Sequence, residues 1–161
     1  NLLTIIIPRH VDRVKNIKSN LNDLNLKVHL HEGVGKIHKE TDIYLVDSYG
    51  KTKAFYNHCK NVFLGGSLIN HGGQNPLEAA QFGCNILHGP YIFNFTEIYE
   101  FLQKGEIAKK ISNQKNALST LNKLFKKRTS SKKIQKKLNS IGDKILKNSY
   151  YEISKLLKNE I

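Results

Sequence analysis

The densest set of residues able to do chemistry is the segment Gly65-Gly66-Ser67-Leu68-Ile69-Asn70-His71-Gly72-Gly73-Gln74-Asn75-Pro76-Leu77-Glu78-Ala79-Ala80. Its two glycine pairs let backbone amides converge without interference from Cβ atoms. Asn75 suits a helix cap, Pro76 suits the first helical position, and Glu78 falls three residues after the cap, the spacing of a capping box. A helix beginning there turns free amides and the positive end of its dipole toward whatever occupies the adjoining crevice, which suits a phosphate. Capping accounts for Asn75, Pro76 and Glu78 but not for the paired glycines, so Gly66 and Ser67 are candidates for a phosphate loop. The segment is not a Walker A loop, because no Gly-Lys-Ser/Thr follows. Gly33-Val34-Gly35 lacks the third glycine of the dinucleotide fingerprint and follows a weak strand.

Other reactive residues carry less. His29 and His31 alternate along one strand face, but no third ligand follows at metal-site spacing, so a polar strand face is expected and no metal. Cys84 follows Gly83 at the start of a strand and reads as a small buried residue. Cys59 ends a helix, and neither thiol has a His-partnered motif. Two cysteines cannot make a disulfide framework, and a reducing compartment is the simpler reading. Asn94-Phe95-Thr96 matches a glycosylation acceptor by chance.

The elements that must position these residues alternate regularly. Leu2-Leu3-Thr4-Ile5-Ile6-Ile7 is a β-rich run closed by Pro8, as expected of a strand buried on both faces. Val11, Val14, Ile17, Leu21 and Leu24 recur every three or four positions and predict an amphipathic helix. Strands are expected at 27–30, 43–46, 61–64, 85–87 and 106–111, and helices at 52–59, 76–82, 95–103 and from Gln114 onward. This alternation predicts an α/β fold built on a doubly wound parallel sheet. Ligands of such sheets sit beyond the carboxyl ends of the strands. Attention therefore falls on Pro8-Arg9-His10, residues 47–51 and the loop from Gly65.

The chain has 161 residues and a net charge of +13. Its mean hydropathy of −0.44 and 39% hydrophobic residues fit a folded core rather than wholesale disorder. The charge is unevenly placed: residues 1–103 hold 10 lysines and arginines against 9 acidic residues, and residues 104–161 hold 16 against 4. Lysine supplies 23 of the 26 basic residues, whereas specific phosphate or base forks usually use arginine. No nucleic-acid partner is therefore expected. We expect residues 1–103 to form a Rossmann-like domain, and residues 104–161 to add its last strand and a tail of basic helices. Leu118, Leu121, Leu124 and Phe125, then Ile134, Leu138, Ile141 and Ile145, keep helical spacing between the lysines, so one face should pack while the other is solvated. No apolar run approaches the ~20 residues of a spanning helix. The start lacks the basic region of a secretory signal, and the absence of methionine suggests a piece of a longer protein.

The residues resemble one family, the 3-deoxy-D-manno-octulosonic acid (Kdo) transferases of lipid A assembly, in their carboxy-terminal, nucleotide-binding half. The motifs that carry the resemblance are Pro8-Arg9-His10, Asp47-Ser48-Tyr49-Gly50, Gly65-Gly66-Ser67 with His71-Gly72-Gly73 and Asn75-Pro76-Leu77-Glu78, and Gly89-Pro90 with Phe93-Asn94-Phe95. Their order and spacing agree over about residues 2–103. The resemblance implies the Rossmann-like half of a GT-B glycosyltransferase that transfers Kdo from CMP-Kdo to the lipid A precursor, lipid IVA, without a metal or other cofactor. It implies donor contacts at Pro8 and Arg9, at Tyr49, Gly50 and Lys51, and at Asn75, Pro76, Leu77 and Glu78. His10 and His71 fall within these motifs and could orient a donor oxygen or bond a loop carbonyl. The family commonly has Met-Gly-Glu where Tyr49-Gly50-Lys51 stands, and often His in place of Gln74, so Lys51 reverses a charge beside the nucleotide.

The resemblance also implies that no catalytic residue lies in this chain. The family's base is a glutamate of an amino-terminal, acceptor-binding domain, and its nucleotide half opens with a strand and helix before the strand at Leu2. This chain alone is therefore expected to be inactive. The working location implied is the cytoplasmic face of the bacterial inner membrane, where the lysine-rich tail would be drawn to an anionic surface. A GT-B transferase for another nucleotide sugar and a basic α/β module binding nucleic acid are the alternatives.

Overall fold

The computed structural model describes residues 2–31, 36–126 and 131–158; the glycines of Gly33-Val34-Gly35 lie outside them. The chain divides into two compact units, residues 1–55 and 56–161.

The first unit holds three parallel strands, β1 (Thr4–Ile6), β2 (Val28–Leu30) and β3 (Ile43–Leu45), in the order β1-β3-β2. Helix α1 (Val14–Asp23), preceded by a 3-10 turn at Val11–Arg13, supplies Val11, Val14, Ile17 and Leu21 to a cluster with Ile6, Val28, Leu30, Ile43 and Leu45. The three-to-four spacing read from the sequence is thus the packed stripe of α1. The sheet corrects one expectation. Among the described residues the run from Leu2 to Ile7 is not buried on both faces: β1 pairs with β3 on one side, Ile5 and Ile6 are half-buried, and Leu2 and Leu3 before the strand are exposed. Flanked by a partner on each side, β3 takes the central place, with Ile43 and Leu45 buried.

Helix α2 (Thr52–His58) carries the chain into the second unit. There β4 (Asn61–Phe63), β5 (Asn85–His88) and β6 (Ala108–Lys110) form a second parallel sheet in the order β4-β5-β6. All four residues of β5 are buried. Alternation along it feeds two layers: Ile86 joins a cluster with Ala79 and Ala80 of α3 (Leu77–Gln81), Tyr99 and Leu102 of α4 (Thr96–Lys104), and Ile134 of α6 (Ser131–Lys158). Leu87 joins Ile111 with Ala117, Leu121 and Leu124 of α5 (Gln114–Lys126). Helices on both faces of a parallel sheet are the doubly wound arrangement. The parallel α/β class agrees with the expectation, with the strands hydrogen-bonded as two three-stranded sheets, one in each unit.

The basic tail is helical, and its stripe is only partly covered. Leu121, Leu124, Ile134 and Leu138 pack on the core, whereas Leu118, Phe125 and Ile145 are exposed. No helix among the described residues is long and apolar enough to cross a membrane.

Candidate functional site

In the first unit the candidate residues leave from one end of the sheet. β1 and β3 run parallel with Ile6 level with Leu45, and the Val46 amide donates to the Ile6 carbonyl at 2.9 Å. The loop with Pro8 and Arg9 and the turn with Tyr49, Gly50 and Lys51 therefore both emerge from the carboxyl ends of neighbouring strands. Arg9, Gly50 and Lys51 are exposed, and Tyr49 is 71% exposed, a large ring left in solvent. Just before it, the Ser48 hydroxyl is buried and, among the described residues, finds no hydrogen-bond partner. A buried hydroxyl without a partner calls for an explanation, and a ligand is one.

The second unit presents its candidates on two loops stitched together, residues 64–76 after β4 and residues 89–95 after β5. Gly73 donates to the Gly66 carbonyl at 3.1 Å, Tyr91 to the Ser67 carbonyl at 2.9 Å, and Asn94 to the Gly72 carbonyl at 3.3 Å. Gly72 and Gly73 take φ 86° and 75°, a backbone conformation that other residues rarely adopt, so the second glycine pair is a conformational requirement. The buried Tyr99 hydroxyl donates to the Gln74 carbonyl at 2.8 Å and anchors the loop to α4. Burial holds that phenol well above its ordinary range.

The Asn75 side-chain oxygen accepts the Leu77 amide at 3.0 Å, as the spacing suggests, but α3 begins at Leu77 with Pro76 rather than Asn75 in the cap position. Asn75 is exposed, Pro76 buried, and Leu77 and Glu78 half-buried. α3 has only five residues, so its contribution at this end is local amides more than an extended dipole. Glu78 lies close enough to Tyr56 that its charge, after burial, helps push that phenol up to about 12. Ser67 is fully buried, donating to the Leu64 carbonyl at 2.6 Å and accepting the Gly89 amide at 2.9 Å. Its hydroxyl serves the fold, with both of its hydrogen bonds made to backbone groups. His71 is exposed, with its ring beside Gly66, and His10 is exposed after β1.

The remaining reactive groups are built into the structure. His29 stacks on Tyr44 with centroids 5.4 Å apart, and the His31 Nδ1 lies 2.6 Å from the Tyr44 hydroxyl, so the shared strand face is aromatic. Among the described residues no group of three or more His, Cys, Asp or Glu could hold a metal. The Cys84 thiol is buried, faces the Cys59 carbonyl at 3.1 Å, and is pushed up to about 12 by burial, which keeps it protonated and unreactive.

His88 was not singled out from the sequence. It ends the buried strand β5, its Nδ1 lies 2.7 Å from the Gly89 carbonyl, and its Nε2 lies 2.8 Å from the Gln103 side-chain nitrogen. A carbonyl only accepts, so Nδ1 carries the proton and Nε2 accepts from Gln103. The available signal was two polar residues, Asn85 and His88, in a strand buried throughout, each of which must find partners. Desolvation lowers the His88 pKa; the hydrogen bond to the Gly89 carbonyl opposes the shift and the nearby charge of Lys110 adds a little to it. The unfolded chain takes up this proton as pH falls below about 6.5, where folded His88 refuses it, so stability is full above that pH and declines below it. Melting temperature should therefore be lower at pH 5.5 than at pH 7, and His88→Asn should flatten that slope; equal slopes in both proteins would place the effect elsewhere.

With this geometry established, comparison with known proteins places the chain. No family model matches it. A 3-deoxy-D-manno-octulosonic acid transferase of Aquifex aeolicus is 30% identical over 125 residues, covering 78% of this chain and 34% of the relative. The Rickettsia typhi transferase of that name is 36% identical over 121 residues, covering 75% of this chain and 26% of the relative. The crystal structure of the C-terminal CMP-Kdo binding domain of WaaA from Acinetobacter baumannii superposes with a TM-score of 0.78 at 25% identity, covering 87% of this chain and 73% of that one. The chain thus spans about a quarter to a third of the curated relatives' length. The parallel sheets, with the glycine-rich loop after β4, are those of a Rossmann-like α/β domain, and the relatives and the superposed structure place that domain among the glycosyltransferases. In sequence and in fold, the chain corresponds to the carboxy-terminal half of the Kdo transferase family.

Proposed function

We propose that this chain binds CMP-Kdo and that, within a whole transferase, it supports metal-independent transfer of Kdo to the lipid A precursor, lipid IVA. The observation that carries the reading is the fold-level match, over 87% of the chain, to a domain described as binding CMP-Kdo. The four motifs of the resemblance fall on loops at the carboxyl ends of β1, β3, β4 and β5, where α/β sheets bind ligands. Arg9 offers a planar fork to a phosphate or carboxylate. The exposed Tyr49-Gly50-Lys51 turn, with the unpartnered Ser48 hydroxyl before it, offers backbone groups to the nucleotide and one added positive charge. Asn75 and the first amides of α3 suit the phosphate, and Glu78 suits ribose hydroxyls. Neutralising the departing CMP is the main electrostatic task of such a site.

The catalytic base and the acceptor site belong, in this reading, to another domain of the whole enzyme. The sixteen basic residues beyond position 103 favour work beside an anionic surface, which fits the cytoplasmic face of the inner membrane and a lipid acceptor. The test is an NMR titration of the chain with CMP, with UMP and AMP as controls. Saturable, CMP-selective shifts at Arg9, Gly50 and residues 75–78 are expected. Preference for UMP would move the donor to another nucleotide sugar. Equal shifts for all three confined to the lysine-rich helices would overturn the donor site.

A further inference from the structure

Both backbone polar groups of Gly89, its N–H and its carbonyl, are held by buried side chains. The Ser67 hydroxyl accepts its N–H at 2.9 Å while donating to the Leu64 carbonyl at 2.6 Å. His88 donates from Nδ1 to its carbonyl at 2.7 Å and is itself fixed by Gln103 at 2.8 Å. Ser67 and His88 are both fully buried, so neither side chain can touch a ligand in the crevice. The strand end at Leu64, the loop from Ser67 and the turn after β5 are thereby locked in one register. The Ser67 carbonyl extends the lock by accepting the Tyr91 amide at 2.9 Å. The same loop carries the half-buried Gly66 and the exposed Asn75, with Gly73 buried beneath and tied to the Gly66 carbonyl at 3.1 Å, so a displacement at Ser67 is passed to the face where small shifts of amides decide how well a phosphate is held.

We infer that Ser67 and His88 are positioning residues that clamp both backbone polar groups of Gly89 and so set the geometry of the loop formed by residues 65–75. This inference rests on the reading of that loop as part of the donor site. A hydroxyl left out leaves the Gly89 N–H buried and unpaired, and apolar replacement of the histidine does the same to the Gly89 carbonyl. Asn in place of His88 keeps a donor at the position of Nδ1 and preserves the carbonyl tie.

The experiment is NMR of the isotopically labelled full chain, first without ligand and then with CMP. Without ligand, Ser67→Ala and His88→Leu should shift or broaden the amides of Gly66, Gly73 and Asn75 while those of Ile86, Tyr99 and Leu102 stay in place. CMP affinity should fall about tenfold in both, with His88→Asn close to the parent. In the unsubstituted chain the Gly89 amide should exchange slowly with solvent, a measurement that needs no variant. Fast exchange at Gly89, or loop resonances and affinity in Ser67→Ala identical to the parent, would overturn the clamp. Absence of CMP binding by the parent would defeat the donor reading alone, since the ligand-free resonances still decide whether the clamp sets the loop.

Discussion

Gly89→Ala is expected to be the most damaging single methyl group in the chain, costing about 3 kcal/mol or more and leaving much of the second unit unfolded near physiological temperature. A Cβ at this position would land on the Ser67 carbonyl, with the Leu68 amide nitrogen only 2.7 Å away. The obstacles are backbone atoms, so no side-chain rotation relieves the collision. The loop could retreat only by giving up the Ser67 bond to Gly89 and the Tyr91 bond to Ser67, which would strand buried polar groups. Chemical denaturation read by circular dichroism would check this, with Gly65→Ala as the control, because nothing lies within 4 Å of a Cβ there. Equal midpoints for the two variants would contradict the packing described for the two loops.

Arg9→Ala should weaken CMP binding about tenfold to a hundredfold, the range for losing a charge-assisted hydrogen bond to a phosphate. Arg9 is exposed just beyond β1, outside the cluster around Ile43 and Leu45, so the melting temperature should hardly move. Arg9→Lys separates charge from geometry: it keeps the positive charge but loses the planar fork, and should fall between the two. Calorimetric titration at fixed ionic strength is the appropriate readout, since simple charge attraction would weaken steeply with salt while a formed contact would weaken less. Unchanged affinity in Arg9→Ala would remove Arg9 from the donor site. Full recovery in Arg9→Lys would reduce its role to charge.

Much of this architecture was legible without coordinates, and the reason is local. The stripe of α1, the order of strands and helices, and the Asn75 side-chain bond to the Leu77 amide depend on neighbours a few residues apart, which set backbone sterics and the first amide bonds. The motifs from Pro8 to Phe95 pointed to the family because loops at strand ends keep their residue types in chain order. What chain order does not contain is which partner each element meets. The Leu2–Ile7 run carries the pattern of a strand buried on both faces, yet among the described residues β1 pairs with β3 alone and stays half-buried, because burial of a strand depends on which neighbours pair with it. Ser67 reads as loop chemistry but is fully buried against Gly89, 22 residues away. His88 signalled at most that a polar residue in a buried strand needs partners; its role comes from Gln103 on α4 and the turn that follows it. The sequence by itself determined the elements, their alternation and the loops at the carboxyl ends of the strands. Only the tertiary structure decided which polar side chains are spent holding those loops, because a buried hydrogen bond is satisfied by whatever folding brings within 3 Å of it.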